Sequence, residues 1–312
     1  MIDPSRNVAY AALVLTVALW ASSAVAARGL LNVIPPVTLS LLRWTVVALC
    51  LLPFAWRERA AMIKAMRTDF RTYAVIALIG FAPQTCAVYF GLAGSTATTL
   101  GLFNSAIPVI IVAVLVLFRG RKLHRLEAVG LGLSSLGVAL ILGRGDLLSL
   151  LSLSFAPSDL MLLATTALWA LYTIRLSERP TSLSLTAFLF VCTMLGLLFL
   201  APFATAEIAF KGWPAISPST ALGILYIGTL PTLIASFLFA FGLARVGAIH
   251  AGILTHLMPV FTALFAAVFL GERLQPFHGA GFLLVAGGAL ICCLRAAPVL
   301  TSRASTRAPA KP

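Results

Sequence analysis

Ten long apolar stretches separated by short polar connections dominate the chain. They run over Val8–Ala27, Val37–Ala55, Thr72–Ala93, Ala97–Phe118, Glu127–Gly143, Asp159–Leu176, Leu183–Ala204, Thr220–Leu243, Ala248–Leu270 and Phe277–Leu294. About 20 helical residues cross the roughly 30 Å hydrocarbon core of a bilayer, so each stretch is about long enough to span it once. The apolar runs are continuous and lack the alternation of two that a membrane barrel needs, which predicts helices. The expected fold is an all-α integral membrane protein with ten transmembrane helices.

Composition agrees with that pattern. Of 312 residues, 61 % are hydrophobic and only 10 % are charged, against about 25 % charged in an ordinary soluble domain. The balance is strongly basic, with 22 Lys and Arg against 9 Asp and Glu and a net charge of +13. Such an excess suggests nucleic acid in a soluble protein, but basic loops also orient a membrane protein during insertion. Position decides between the two. Seventeen of the 22 lie on one side of the alternating spans, in the N-terminus, the even-numbered loops and the tail from Arg295. Arg28, Arg144, Lys211 and Arg273 lie on the other side, and Arg43 is inside a span. Both termini are therefore expected in the cytoplasm, in a multi-pass protein of a bacterial-type inner membrane, with no nucleic-acid partner. The tail, residues 295–312, reads as a basic disordered segment attracted to anionic lipid.

Arg6 followed by an apolar run and Ala24-Val25-Ala26 imitates a signal peptide, but the run is too long for a typical signal core and its repeat partner argues for retention. The five cysteines all fall in apolar runs without metal or disulfide spacing, so they read as structural thiols and no metal or cofactor is expected.

The two halves echo each other. Ala18-Leu19-Trp20-Ala21 recurs as Ala167-Leu168-Trp169-Ala170, and Pro53-Phe54-Ala55 as Pro202-Phe203-Ala204, both at a shift of 149. Gly80 and Pro83 match Gly228 and Pro231 at 148; Pro108, Gly130 and Gly137 match Pro259, Gly281 and Gly288 at 151. Five spans per copy is an odd number, so the second copy enters the membrane from the opposite side. Inverted repeats of this kind are typical of secondary transporters. The expected organisation is residues 1–143 as the first repeat and 144–294 as the second, around a central cavity.

The sequence resembles EamA-type members of the drug/metabolite transporter superfamily. The resemblance is carried by Pro36, Arg43 and Ala48 in the second span, by Arg121–Ile141 (RKLHRLEAVGLGLSSLGVALI) and by Gly271–Ile291 (GERLQPFHGAGFLLVAGGALI), and it covers nearly the whole chain. It departs from an exact duplication where Arg121 stands opposite Glu272. The resemblance implies a ten-helix bundle with a central cavity and export of amino acids or other small metabolites, and it does not specify the cargo.

Several residues are candidates for the transport path. Pro83, Pro108, Pro231 and Pro259 lie near midspan at repeat-related positions; each removes a helix hydrogen bond and is a candidate hinge. Trp20 and Trp169 are equivalent and deep, and point either into a core or into a cavity. Tyr172, one turn after Trp169, shares its face. Gln84, Asn104, Ser236 and His256 are polar at depth, where either structural hydrogen bonding or ligand contact is required. Arg43 reads as a charge contact for a carboxylate or phosphate, or as an anchor to helix-end carbonyls.

These residues predict a secondary transporter that exports small zwitterionic or neutral metabolites by alternating access. Amino acids, aromatic ones among them, are the expected cargo. With no carboxylate at midmembrane, facilitated diffusion is expected, with proton exchange through His256 as the alternative mechanism. A proton-coupled exporter of drugs or organic cations is a second reading. An integral membrane enzyme is a third, but the chain has none of the common hydrolase, zincin or phosphate-loop motifs. Small-residue faces at Gly130, Ser134 and the last helix pack either within the bundle or between protomers.

Overall fold

The computed structural model describes residues 4–94, 103–152, 157–180, 182–270 and 275–293, and among them every regular element is helical. The chain begins with α1 (Pro4–Leu30), α2 (Pro36–Ala55), the short α3 (Arg59–Thr68), α4 (Phe70–Gly80) and α5 (Ala82–Gly94). It continues with α6 (Ile107–Arg119), α7 (Arg125–Leu142), α8 (Pro157–Ser177) and α9 (Leu185–Lys211). α10 (Pro218–Gly228) passes through a π-helical turn, Thr229–Ile234, into α11 (Ala235–Leu254), and α12 (Leu257–Leu270) and α13 (Pro276–Cys293) follow.

Eight helical stretches among the described residues are long and apolar enough to cross a membrane, and Phe103–Arg119 adds a shorter one. Their outward faces are apolar: Phe54, Leu117, Phe118, Phe203, Leu222 and Leu283 are all well exposed. Apolar exposure on this scale suits a lipid-facing surface.

The local structure departs from uniform spans where the sequence cannot sustain a helix. The third predicted span is two helices, because Phe81 leaves helical geometry (φ −121°, ψ −140°) and Pro83 restarts the helix in the first turn of α5. Within α11, Gly247 takes φ 80°, ψ 168°, a conformation that an L side chain disfavours, and the chain turns there. The basic second loop is partly helical: α3 buries Met62 and Ala65 and leaves Lys64 and Arg67 in solvent. α9 continues past Ala204 to Lys211, which places Glu207 inside the fold.

Glu207 explains how α2 begins. That helix starts at Pro35-Pro36 without a side-chain cap of its own, so its first amides need partners from elsewhere. The Glu207 carboxylate accepts from the Thr38 backbone N–H at 2.8 Å and from the Thr38 hydroxyl at 2.9 Å, and faces Lys211 Nζ at 3.6 Å.

α7 and α13 form a close seam. A Cβ on Gly130 would meet the Gly288 carbonyl at 2.6 Å, and one on Gly137 would meet the Gly281 carbonyl at 2.8 Å. Only hydrogen fits there, so the small-residue face is used inside the bundle. Elsewhere α1 packs on α11, α2 on α9, and α5 on α8, around a core that includes Leu13, Trp44, Tyr73, Phe188 and Ile249.

Polar ties gather the loops at one end. Arg119 pairs with Glu178 and Arg121 with Glu127, both at 2.8 Å, and the Ser184 hydroxyl donates to Glu58. His250 Nε2 lies 3.1 Å from the Cys292 carbonyl, and Cys292 in turn lies beside Gly130 in α7.

Candidate functional site

A cavity of about 160 Å³ opens where the helix interruptions converge. α1 contributes Trp20, Ser23, Ala24 and Ala27, α2 contributes Arg43, and α5 contributes Gln84, Thr85, Val88 and Tyr89. Asn104, just before α6, and Ile107, its first residue, close it, Trp169 comes from α8, Thr255 from the turn between α11 and α12, and Met258 from the first turn of α12. Three lining pairs are related by the internal repeat: Trp20 with Trp169 at a shift of 149, and Asn104 with Thr255 and Ile107 with Met258 at 151.

The apolar wall is aromatic. Trp20 and Trp169 meet edge to face with ring centroids 5.1 Å apart and an interplanar angle of 86°. Phe239 packs on Trp20 at 5.1 Å and on Trp169 at 5.9 Å. Tyr172 is buried behind Trp169 at 4.9 Å and outside the lining. Its ring occupies the space a side chain at position 80 would need, since a Cβ on Gly80 would fall 2.0 Å from Tyr172 Cδ2. Aromatic pairs of this geometry contribute roughly 0.5 to 1.5 kcal/mol each beyond their buried area, so the two tryptophans are held rather than free to swing.

The polar wall is centred on Arg43. Its Nε donates to the Thr232 hydroxyl and its Nη1 to the Tyr89 hydroxyl at 2.7 Å. The ion pairs found among the described residues are Arg119–Glu178, Arg121–Glu127 and Lys211–Glu207, so no described carboxylate neutralises Arg43. Thr232 is placed by the neighbouring proline. Pro231 has no N–H to give the Ile227 carbonyl, and the Thr232 hydroxyl donates to that carbonyl instead within the π-helical turn.

Gln84 is 8 % exposed, yet among the described residues neither its amide nor that of Asn104 has a side-chain hydrogen-bond partner, and both line the cavity. Asn104 is half-buried; a shielded amide without a protein partner is costly unless solvated, so two amides at one cavity mark a place where a polar ligand or water belongs. Thr85 is already engaged, accepting from Trp44 Nε1 at 3.2 Å, and Thr255 donates to the Gly252 carbonyl.

The other sequence candidates are placed differently. His256 is 1 % exposed and does not line the cavity. Its Nδ1 lies 2.7 Å from Ser134 Oγ in α7 and its Nε2 lies 2.9 Å from the Ser105 carbonyl. A carbonyl only accepts, so Nε2 carries a proton, and both ring nitrogens are engaged. Ser236 is half-buried on α11 outside the lining. Of the four prolines, Pro83, Pro108 and Pro259 lie in the first turns of α5, α6 and α12, and Pro231 lies in the π-helical turn. Each marks an interruption next to the cavity wall. Ser23, Thr85, Thr255 and Met258 also line the cavity without standing out by residue type; the repeat shift of 151 applied to Asn104 and Ile107 finds the last two. Among the described residues, no group of three or more His, Cys, Asp or Glu side chains could hold a metal ion.

Known proteins resemble this chain in sequence and fold. The profile of the EamA-like transporter family matches residues 7–143 and again 156–294. An uncharacterized transporter of Archaeoglobus fulgidus is 27 % identical over 279 residues, 88 % of this chain and 94 % of that protein. A Salmonella typhimurium protein named a probable amino-acid metabolite efflux pump is 27 % identical over 306 residues, 92 % of this chain and 95 % of its own. A Streptantibioticus cattleyicolor protein named a probable terminal-alkyne amino-acid exporter is 26 % identical over 284 residues, 89 % of each chain. A crystal structure with 20 % sequence identity superposes with a TM-score of 0.71 over 94 % of this chain and 97 % of that one, so the fold is shared.

Proposed function

This chain belongs to the EamA-like transporter family, a family of multi-span membrane proteins, and we propose that it exports small zwitterionic or neutral metabolites by alternating access. Amino acids, aromatic ones among them, are the cargo we favour. The cavity is the observation that carries this reading: Trp20 and Trp169 supply a flat apolar wall, while Arg43, Gln84 and Asn104 supply polar groups that are neutralised or satisfied only in part by the protein. The names of two relatives point to amino-acid export.

We read the architecture as ten spans in an inverted five-plus-five repeat, residues 1–143 and 144–294, followed by a basic tail. Two features support ten. The helical stretch Pro218–Leu254 has 37 residues, about 55 Å of helix and far more than one crossing needs, and Gly247 turns it. The 14 residues of α12 complete a crossing when joined to the segment from Ala248. The basic loops tied together at one end support a cytoplasmic location for that end and for both termini, in an inner membrane of bacterial type. The interruptions at Pro83, Pro108, Pro231 and Pro259 are the hinges of this scheme.

Facilitated diffusion is the favoured mode, because the one histidine near midspan already spends both nitrogens on Ser134 and Ser105. The test is counterflow in proteoliposomes with a panel of labelled amino acids and organic cations, with and without an imposed pH gradient. Amino acids should exchange at a rate indifferent to the gradient, and Trp20→Ala should weaken apparent affinity for aromatic ones by about tenfold. Movement of organic cations with amino acids ignored would reject the reading. Acceleration by the gradient that disappears in His256→Ala would replace diffusion with proton exchange.

A further inference from the structure

Given that this cavity carries amino acids, we propose that Arg43 recognises the cargo's carboxylate, that the carboxylate is the obligatory recognition element, and that the ammonium is dispensable. Deaminated monocarboxylates, such as 2-hydroxy acids with the same side chain, then belong to the substrate class, and carboxyl-blocked amino acids do not.

The charges around the cavity are one-sided. Among the described residues, Arg43 is the one charged residue in the lining, and no Asp or Glu lines it. The guanidinium has five N–H donors; one is given to Thr232 and one to Tyr89, both neutral hydroxyls. The remaining donors have no described partner, and a guanidinium fork matches a carboxylate in shape and charge. Partial desolvation strengthens that attraction relative to water.

The ammonium end meets different chemistry. Gln84 and Asn104 offer amide groups that have no side-chain partner among the described residues, at the same cavity. An amide presents both an acceptor oxygen and donor N–H groups, so it can accept from an ammonium or pair with a hydroxyl at the same position. Nothing in the lining demands a positive charge. A primary amine without a carboxylate would instead bring its charge beside Arg43 with no anion to offset it, a repulsive arrangement in a semi-enclosed site.

The experiment is inhibition of labelled phenylalanine counterflow by phenylalanine, 3-phenyllactate, phenylalaninamide and phenethylamine, in proteoliposomes containing the full chain. We expect phenyllactate to compete within about threefold of phenylalanine, and the amide and the amine to be at least about tenfold weaker. In Arg43→Gln the two carboxylates should fall to the level of the amide, whereas Arg43→Lys should keep the order with weaker binding. The proposal fails if phenylalaninamide competes as well as phenylalanine, if phenyllactate is inert, or if the order survives in Arg43→Gln. The wild-type ranking alone decides if that variant does not reach the membrane. Phenylalanine that moves but shows no preference for the carboxylate sinks only the anchor. A panel in which no amino acid moves and organic cations do sinks the amino-acid cargo itself.

Discussion

The seam between α7 and α13 and the cavity around Arg43 are built by opposite means. At the seam, Gly130, Gly137, Gly281 and Gly288 let two backbones approach until a single added carbon would collide with a carbonyl. The cavity is instead walled by two tryptophans, an arginine and two amides, the last of which have no side-chain partner among the described residues. In the seam, the contacts leave no room for a ligand; in the cavity, the polar groups are incomplete without one. Proximity of small or polar residues in a membrane helix therefore does not by itself mark a site. A site is indicated where polar groups stay unsatisfied after the helices have packed.

His256 sits between the two regions. It has the side-chain type of a transport residue, yet it ties α7 to the segment before α6 with both ring nitrogens.

Mutations should separate the regions cleanly. Gly288→Leu should have the largest effect, because its Cβ alone would lie 2.5 Å from the Gly130 carbonyl and 2.6 Å from the Ser134 nitrogen. The helices must move apart, at a cost of roughly 1 to 3 kcal/mol or more, seen as a lower thermal midpoint in detergent and reduced membrane yield. His256→Ala should come next, losing roughly 1 to 3 kcal/mol by removing the two contacts that link Ser134 to the Ser105 carbonyl. Its residual flux should respond to cargo concentration as the wild type does. Gln84→Leu should do the reverse, leaving the thermal midpoint unchanged or slightly raised while weakening apparent cargo affinity about tenfold. A Gln84→Leu protein that is as unstable as Gly288→Leu would show that the amide has a structural role. Gly132→Leu should have the smallest effect, within about 0.5 kcal/mol, since Gly132 is exposed and nothing lies within 4 Å of its Cβ position.

Much of this was legible in the sequence, for physical reasons. Apolar runs marked the spans because lipid tolerates little else, although α9 outran its predicted end. Trp20 and Trp169 were legible as cavity-lining residues because the two halves of the sequence echo each other around them, and Gln84, Asn104 and Arg43 because polarity within an apolar run is costly. What escaped depended on distant or local geometry. The break at Phe81 and the π-helical turn at Thr229–Ile234 follow from how prolines and their neighbours redistribute hydrogen bonds, which residue spacing does not reveal. Ser236 and His256 share the polarity of the lining residues, and only their orientation sets them apart. Glu207 escaped because its partner, Thr38, is 169 positions away.

That last distance has a consequence during biosynthesis. The chain is made from its N-terminus, so α2 leaves the ribosome long before the carboxylate that caps it exists. Until Glu207 is made, the Thr38 amide and hydroxyl lack the partner they have in the finished protein, and water must take its place. The first half of the molecule therefore receives this cap of its second helix from a residue of the second half.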